Sequence, residues 1–142
     1  MRKLLVETPQ SHCDYSKLSL ATKSYGDLVG RVDGELERQR NYAKLLDIQY
    51  SVTKTGLLGD AFLDSLASKD RVFLKEGDLV KVCRKANKTF RFWLFSDYAM
   101  YGSKYVGTGK FEFHRSIKLD ECVVKKGKEG DNSLIVSSKE KR

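Results

Sequence analysis

The stretch EGDLVKVCRKANKTFRFWLFSDYAMYG, Glu76 to Gly102, decides how this chain folds. It is dense in Val, Phe, Trp and Tyr, side chains that fit a pleated, half-buried surface, and so predicts three short β-strands over 78–84, 89–96 and 98–102. A basic, turn-prone loop, Lys85-Ala86-Asn87-Lys88, separates the first two. The two-residue period of a strand sets Phe90, Phe92 and Leu94 on one face and Arg91, Trp93 and Phe95 on the other. So much apolar surface must cover a core, while the loop offers cations to something anionic.

Composition bounds what surrounds this hairpin. A chain of 142 residues, 40% hydrophobic and 32% charged, suits one ordinary globular domain and excludes a disordered one. No run approaches the roughly 18 apolar residues of a membrane span, and Met1-Arg2-Lys3-Leu4-Leu5-Val6 is too short for a signal-peptide core, so the expected location is cytoplasmic. Cys13, Cys83 and Cys122 are far apart, with no CxxC and no histidine at ligand spacing, which predicts reduced structural cysteines and no metal. The net charge is uneven: residues 75–142 hold 16 Lys/Arg against 9 Asp/Glu, so +7 of the +8 lies there. Such a basic β-rich half suits nucleic acid or an anionic membrane leaflet, where each basic residue near the surface contributes about 1 kcal/mol. Charge alone does not choose between them.

Upstream, residues 2–6 read as the end of a helix, stopped at Thr8-Pro9 because the residue before a proline avoids helical geometry. Asp14 is a suitable N-cap for the next helix. From Tyr15 to about Tyr50, Leu18, Ala21, Tyr25, Leu28, Val32, Leu36, Ala43, Leu46 and Tyr50 mostly keep three- or four-residue spacing, predicting one buried face of a long helix. Gly26, Gly30 and Gly34, four apart, either admit another backbone closely or mark a bend, each at about 1 kcal/mol relative to Ala. Residues 51–70, with Gly56 and Gly59, read as a linker. After the hairpin, 111–113, 117–119, 122–124 and 133–137 read as further strands.

No catalytic constellation is present. His12 and His114 are the only histidines, and neither Gly-x-Ser-x-Gly nor a P-loop occurs. His12 suits packing or capping at its turn. Asp33 and Glu37 are four apart, but Arg38 and Arg40 beside them make a solvated charged face the better reading than a carboxylate pair. Phe92, Trp93 and Phe95 could pass for a platform for single-stranded nucleic acid. Flanked by Leu94 and without an RNP-like motif they read as core, and nucleic acid is not expected as a partner.

The run from Lys75 to Tyr101, Lys-Glu-Gly-x-Leu-x-Lys, a basic loop, then Arg-x-x-x-Leu-Phe-x-Asp-x-x-x-Tyr, resembles the opening half of a pleckstrin homology (PH) domain. The version it is most similar to follows a Dbl homology (DH) domain in Rho-family guanine nucleotide exchange factors, including the FYVE, RhoGEF and PH group. A second resemblance lies upstream. Leu4-Leu5-x-x-Thr8-Pro9-x-x-His12-x-Asp14-Tyr15-x-x-Leu18 is similar to the segment leading into the last DH helix, and Asn41, Lys44, Leu45 and Gln49 fit that helix's tail.

Together the resemblances imply an α+β chain: a long N-terminal α-helix ending a DH bundle, then an antiparallel PH-type barrel without its last strands and C-terminal helix. The implied division is 1–50 for the end of the DH domain, 51–70 for a linker and 71–142 for an incomplete PH domain. They imply binding of a phosphoinositide or an anionic membrane through Lys81, Arg84, Lys85, Lys88, Arg91, Lys104 and Lys110, and contact with a Rho-family small GTPase through Arg2, Asp33, Glu37 and Asn41. No cofactor is implied. Arg91 stands one place later than the family's headgroup pattern, which in a strand turns it to the other face. Asp33 stands where some members carry Asn. The implied function is a piece of an exchange factor acting peripherally at a membrane, and the competing reading is a phosphoinositide-binding adaptor without exchange activity.

Overall fold

The computed structural model describes residues 2–53, 60–83, 85–127 and 132–138. Two compact units form, residues 1–40 and 41–142.

In the first unit, α1 (Arg2–Glu7) ends where expected, with the Thr8 hydroxyl donating to Leu4 O at 2.6 Å. The 37-residue α2 (Tyr15–Ser51) starts beyond Asp14, whose carbonyl accepts the Leu18 N–H at 2.9 Å. The His12 ring accepts the Asp14 N–H on Nδ1, at 3.2 Å, so it serves the turn. Tyr25, Leu28, Val32 and Leu36 do follow one stripe of α2, yet this chain leaves them exposed. A methyl built at Gly26 or Gly30 would meet nothing within 4 Å.

The second unit begins inside α2. Leu45 and Ile48 are fully buried, in one cluster with Val52, Leu63, Leu66, Trp93, Phe95, Met100 and Phe113. At 100° per residue, 45 and 48 lie nearly opposite 43, 46 and 50. The face expected to be buried over the last turns of α2 is therefore corrected: Ala43 and Tyr50 are exposed, and the sheet is covered by the other side. The stretch read as a linker is likewise structured in part. Val52–Thr53 (β1) pairs in parallel with Phe111 and Glu112, and Asp60–Asp64 (α3) leads into the buried Leu66; Gly56 and Gly59 lie outside the described residues.

The remaining strands are β2 (Phe73–Lys81), β3 (Lys88–Phe95), β4 (Tyr98–Lys104), β5 (Phe111–Lys118), β6 (Cys122–Lys126) and β7 (Leu134–Ser138). Five form one sheet in the order β1-β5-β4-β3-β2, antiparallel except for β1, and β6 with β7 makes a separate antiparallel pair. The first hairpin strand differs from expectation: it begins at Phe73, which pairs with Phe95, and stops at Lys81 opposite Lys88. Alternation holds in β3, where Trp93 and Phe95 are buried and Leu94 is exposed. Gly102 is needed for close approach, since a methyl there would collide with the Glu112 carbonyl on β5.

Asn41 ties the helix to the sheet. Its amide N–H donates to Arg71 O at 2.8 Å and its oxygen accepts the Phe73 N–H at 2.7 Å. Asn41→Ala leaves both backbone groups unpaired in a half-buried seam, and is expected to lower stability by about 2 kcal/mol, read as a shift of the urea midpoint at unchanged slope.

Candidate functional site

Antiparallel order dictates where the loops lie. The loop after β2 (residues 82–87) and the loop after β4 (residues 105–110) leave the same end of the sheet, because the register placing Arg91 opposite Gly102 brings Lys88 level with Tyr105. Lys81, Lys85, Lys88, Lys104 and Lys110 therefore converge on one end, all exposed. Arg84 lies outside the described residues.

Lys81 and Lys88 are cross-strand partners on the face opposite Trp93. Lys81 is held there: its Nζ donates to the Tyr101 hydroxyl at 2.6 Å and sits 4.4 Å from the centre of that ring and 5.8 Å from Phe90. A cation over an aromatic face is attracted by the ring quadrupole, so Lys81 is pre-positioned. Tyr101 in turn stacks on Phe92 at 5.2 Å and on His114 at 6.0 Å. The pairing of β4 with β5 jumps from Tyr101↔Arg115 to Gly102↔Phe113, so His114 is the extra residue of a β-bulge. Its Nε2 lies 2.8 Å from the Ser103 hydroxyl.

Arg91 is set apart from this group. It shares the core-side face with Trp93 and Phe95, and its guanidinium meets Asp78 at 3.2 Å and Glu76 at 3.5 Å. Glu76 also accepts from Lys44 of α2 at 3.0 Å, so Arg91 belongs to a charge network joining helix and sheet. Its Nε is buried without a partner among the described residues.

The four residues that the resemblance assigns to GTPase contact are distributed differently. Asp33 lines an open groove of about 730 Å³ in the first unit, with Leu5, Tyr25, Val29 and Gly30, and Glu37 is exposed one turn further along α2. Asn41 has both amide ends engaged by residues 71 and 73. Of the Arg2 side chain nothing is described. On the turn before α2, His12, Cys13 and Asp14 bring ligand-type atoms within 4.8 Å of one another, but His12 Nδ1 already accepts a backbone N–H.

Tyr101 and His114 are the contributors that sequence reasoning missed. Alternation could have found Tyr101, since β4 pairs it with Phe92, whereas the bulge that aims His114 has no mark in the residues themselves.

A long helix leading into a five-stranded, PH-type sheet with a cationic loop end defines a class, and the comparisons bear on the same class. No protein-family model matches the chain. It is 33% identical over 102 residues to mouse Intersectin-2, covering 70% of this chain and 6% of that protein. It is 30% identical over 137 residues to the human FERM, ARHGEF and pleckstrin domain-containing protein 2, covering 96% and 12%. Among solved structures, the complex of PDZ-RhoGEF DH/PH domains with GTP-gamma-S activated RhoA matches with a TM-score of 0.66 at 16% identity, over 99% of this chain and 43% of that one. The chain belongs to the Dbl homology and pleckstrin homology family of Rho exchange factors. It spans about a tenth or less of the length of those two relatives.

Proposed function

We propose that the chain is the junction of a Rho-family guanine nucleotide exchange factor, with the end of the DH domain over 1–50, a connection over 51–70 and the opening of the PH domain from 71. Its sheet end binds anionic lipid, and its helix adds to the contact with a Rho GTPase. The observation that carries the lipid part is the convergence of Lys81, Lys85, Lys88, Lys104 and Lys110 on one end of the sheet. Five exposed ammonium groups without an interleaved carboxylate in either loop are suited to phosphate oxygens. Arg91 is committed to Glu76 and Asp78, so binding rests on these lysines and is governed by surface charge more than by headgroup stereochemistry.

Support for the GTPase part is the exposure of Asp33 and Glu37 on α2 and the similarity to DH/PH domains solved with RhoA. Exchange requires no general base. A factor of this kind lowers nucleotide affinity by stabilising a remodelled GTPase state, which is differential binding. The chain holds a small part of such a surface and is expected to bind nucleotide-free Rho weakly without accelerating nucleotide release. An adaptor would share the lipid chemistry and show no GTPase contact, which a pull-down on nucleotide-free Rho distinguishes.

The lipid reading is tested by co-sedimentation with phosphatidylcholine vesicles with and without phosphatidylserine or a phosphoinositide, at two salt concentrations. Lys85→Ser with Lys88→Ser removes about 2 kcal/mol of surface attraction, hence about 30-fold in affinity for anionic vesicles. Equal binding by the double variant, or binding to neutral vesicles alone, would refute the charge-based reading.

A further inference from the structure

Residues 82–87 and 105–110 contain one aliphatic hydroxyl between them, that of Thr108, and it lies exposed in the turn after β4. The turn is closed by the Tyr105 N–H, which donates to Lys110 O at 2.9 Å. Gly107 and Gly109, on either side of Thr108, take φ of 86° and 69°, and a methyl built on either would meet nothing within 4 Å. Left-handed backbone carries no Cβ penalty at these glycines, and Thr108 stands between two bare positions with no flanking side chain over it. Its Oγ accepts the Lys110 N–H at 3.3 Å, and its own proton has no acceptor among the described residues. The neighbouring hydroxyls differ. Ser103 is engaged by His114 at 2.8 Å and Glu112 at 3.3 Å, and Tyr101 accepts from Lys81 at 2.6 Å.

The surroundings of Thr108 are cationic. Lys104 precedes it by four residues and Lys110 follows it by two, at the neck where Lys104 pairs with Phe111 across β4 and β5. Lys85 and Lys88 lie at the same end of the sheet, and neither loop holds a carboxylate. A hydroxyl ringed by cations is complementary to a kinase whose substrate cleft is acidic, and a phosphate placed there meets ammonium groups instead of like charge.

We propose that Thr108 is a phosphoacceptor for a basophilic serine/threonine kinase, and that the phosphate it gains is held by Lys104 and Lys110. Thr108 Oγ attacks the γ-phosphorus of Mg-ATP, the bond from that phosphorus to the β–γ bridging oxygen breaks, ADP departs, and the hydroxyl proton passes to the kinase's catalytic carboxylate. The product carries a charge of about −2 at neutral pH and offers strong acceptor oxygens. Charge-assisted hydrogen bonds then tie the two lysines to a group of the chain itself, and this end of the sheet loses much of its attraction for outside anions. That last consequence rests on the lipid reading above; the modification does not.

The test incubates the full chain with a basophilic kinase and ATP labelled on its γ-phosphate, with an acidophilic kinase as the control. Label mapped to Thr108 by mass spectrometry, and abolished by Thr108→Val, is expected from the basophilic kinase alone. Lys104→Ser with Lys110→Ser should slow the transfer about tenfold. In the modified chain the phosphorus resonance should titrate below the ordinary value of about 6, because the ammonium groups favour the dianion. Vesicles containing phosphatidylserine should bind the modified chain about 30-fold more weakly, the effect of two charges at the surface. Label absent from Thr108, or transferred there equally well by the acidophilic kinase, overturns the assignment. Titration at the ordinary value overturns the lysine clamp, and unchanged vesicle binding by the modified chain overturns the switch. Failure of the unmodified chain to bind any anionic vesicle overturns the lipid reading and leaves the phosphoacceptor standing.

Discussion

Arg71→Leu is expected to lower the stability of the sheet unit by about 3 kcal/mol, among the largest effects of any single change in this chain. Arg71 is the one charged side chain buried among the described residues, 7% exposed. Its Nε and Nη2 grip Asp97 at 2.8 to 3.0 Å, and Nη1 donates to Ser65 O and Leu66 O at 3.0 Å each. The guanidinium also lies 5.2 Å from the ring centres of Phe62 and Tyr98. Leucine keeps some of the packing, leaves the Asp97 carboxylate without its guanidinium and withdraws one donor each from Ser65 O and Leu66 O, the latter keeping the Ser68 N–H at 2.9 Å. Asp97→Asn should be milder, about 1 kcal/mol, because the Asp97 side chain is 45% exposed and stays hydrated. Urea unfolding of the two variants checks the ranking.

The same pair sets an acid limit. Burial works to raise the Asp97 carboxyl, and the hydrogen bonds and charge of Arg71 overcome it, leaving its pKa below the ordinary 3.8. A depressed folded value means the stabilisation is complete above pH 3.8 and is lost as pH falls through the lower folded value. Stability between pH 5 and 8 should therefore be indifferent to this pair, and Asp97→Asn should flatten the loss seen in stronger acid.

The second large effect divides α2. Leu45→Ala and Ile48→Ala each remove a fully buried side chain from the cluster around Phe95 and Trp93, and are expected to destabilise by about 3 kcal/mol. Leu28→Ala, in the same helix with the residue 51% exposed, should change stability by less than about 0.5 kcal/mol. Similar losses at 28 and 45 would mean that the helix is stabilised evenly along its length. The expected contrast places its last turns with the sheet.

Much of this was legible in the sequence, where short-range patterns carry the information. Alternation put Arg91 with Trp93 and Phe95, and the structure keeps it there, paired with Glu76 and Asp78. Thr8-Pro9 and Asp14 marked the break between helices. The failures have a common physical cause, since long-range partners leave no local trace. The stripe from Leu18 to Tyr50 has nine members and dominates the helical period, whereas the helix face that meets the sheet is signalled by Leu45 and Ile48 alone. Within residues 51–70 the apolar patch of Phe62, Leu63 and Leu66 is visible, but no local pattern says that it is core rather than part of a connecting turn, because the residues it joins, Trp93 to Phe113, lie far along the chain. The Arg71 and Asp97 pair spans 26 positions and was invisible for the same reason. At the candidate site, composition supplied the lysines and the strand order supplied their convergence.

Amide hydrogen exchange of the full chain, free and on phosphatidylserine-containing vesicles, tests the central claim most directly. Slowing confined to residues 82–87 and 105–110, and reversed by Lys85→Ser with Lys88→Ser, is the predicted result. Slowing along the exposed stripe of α2 with both loops unchanged would contradict it.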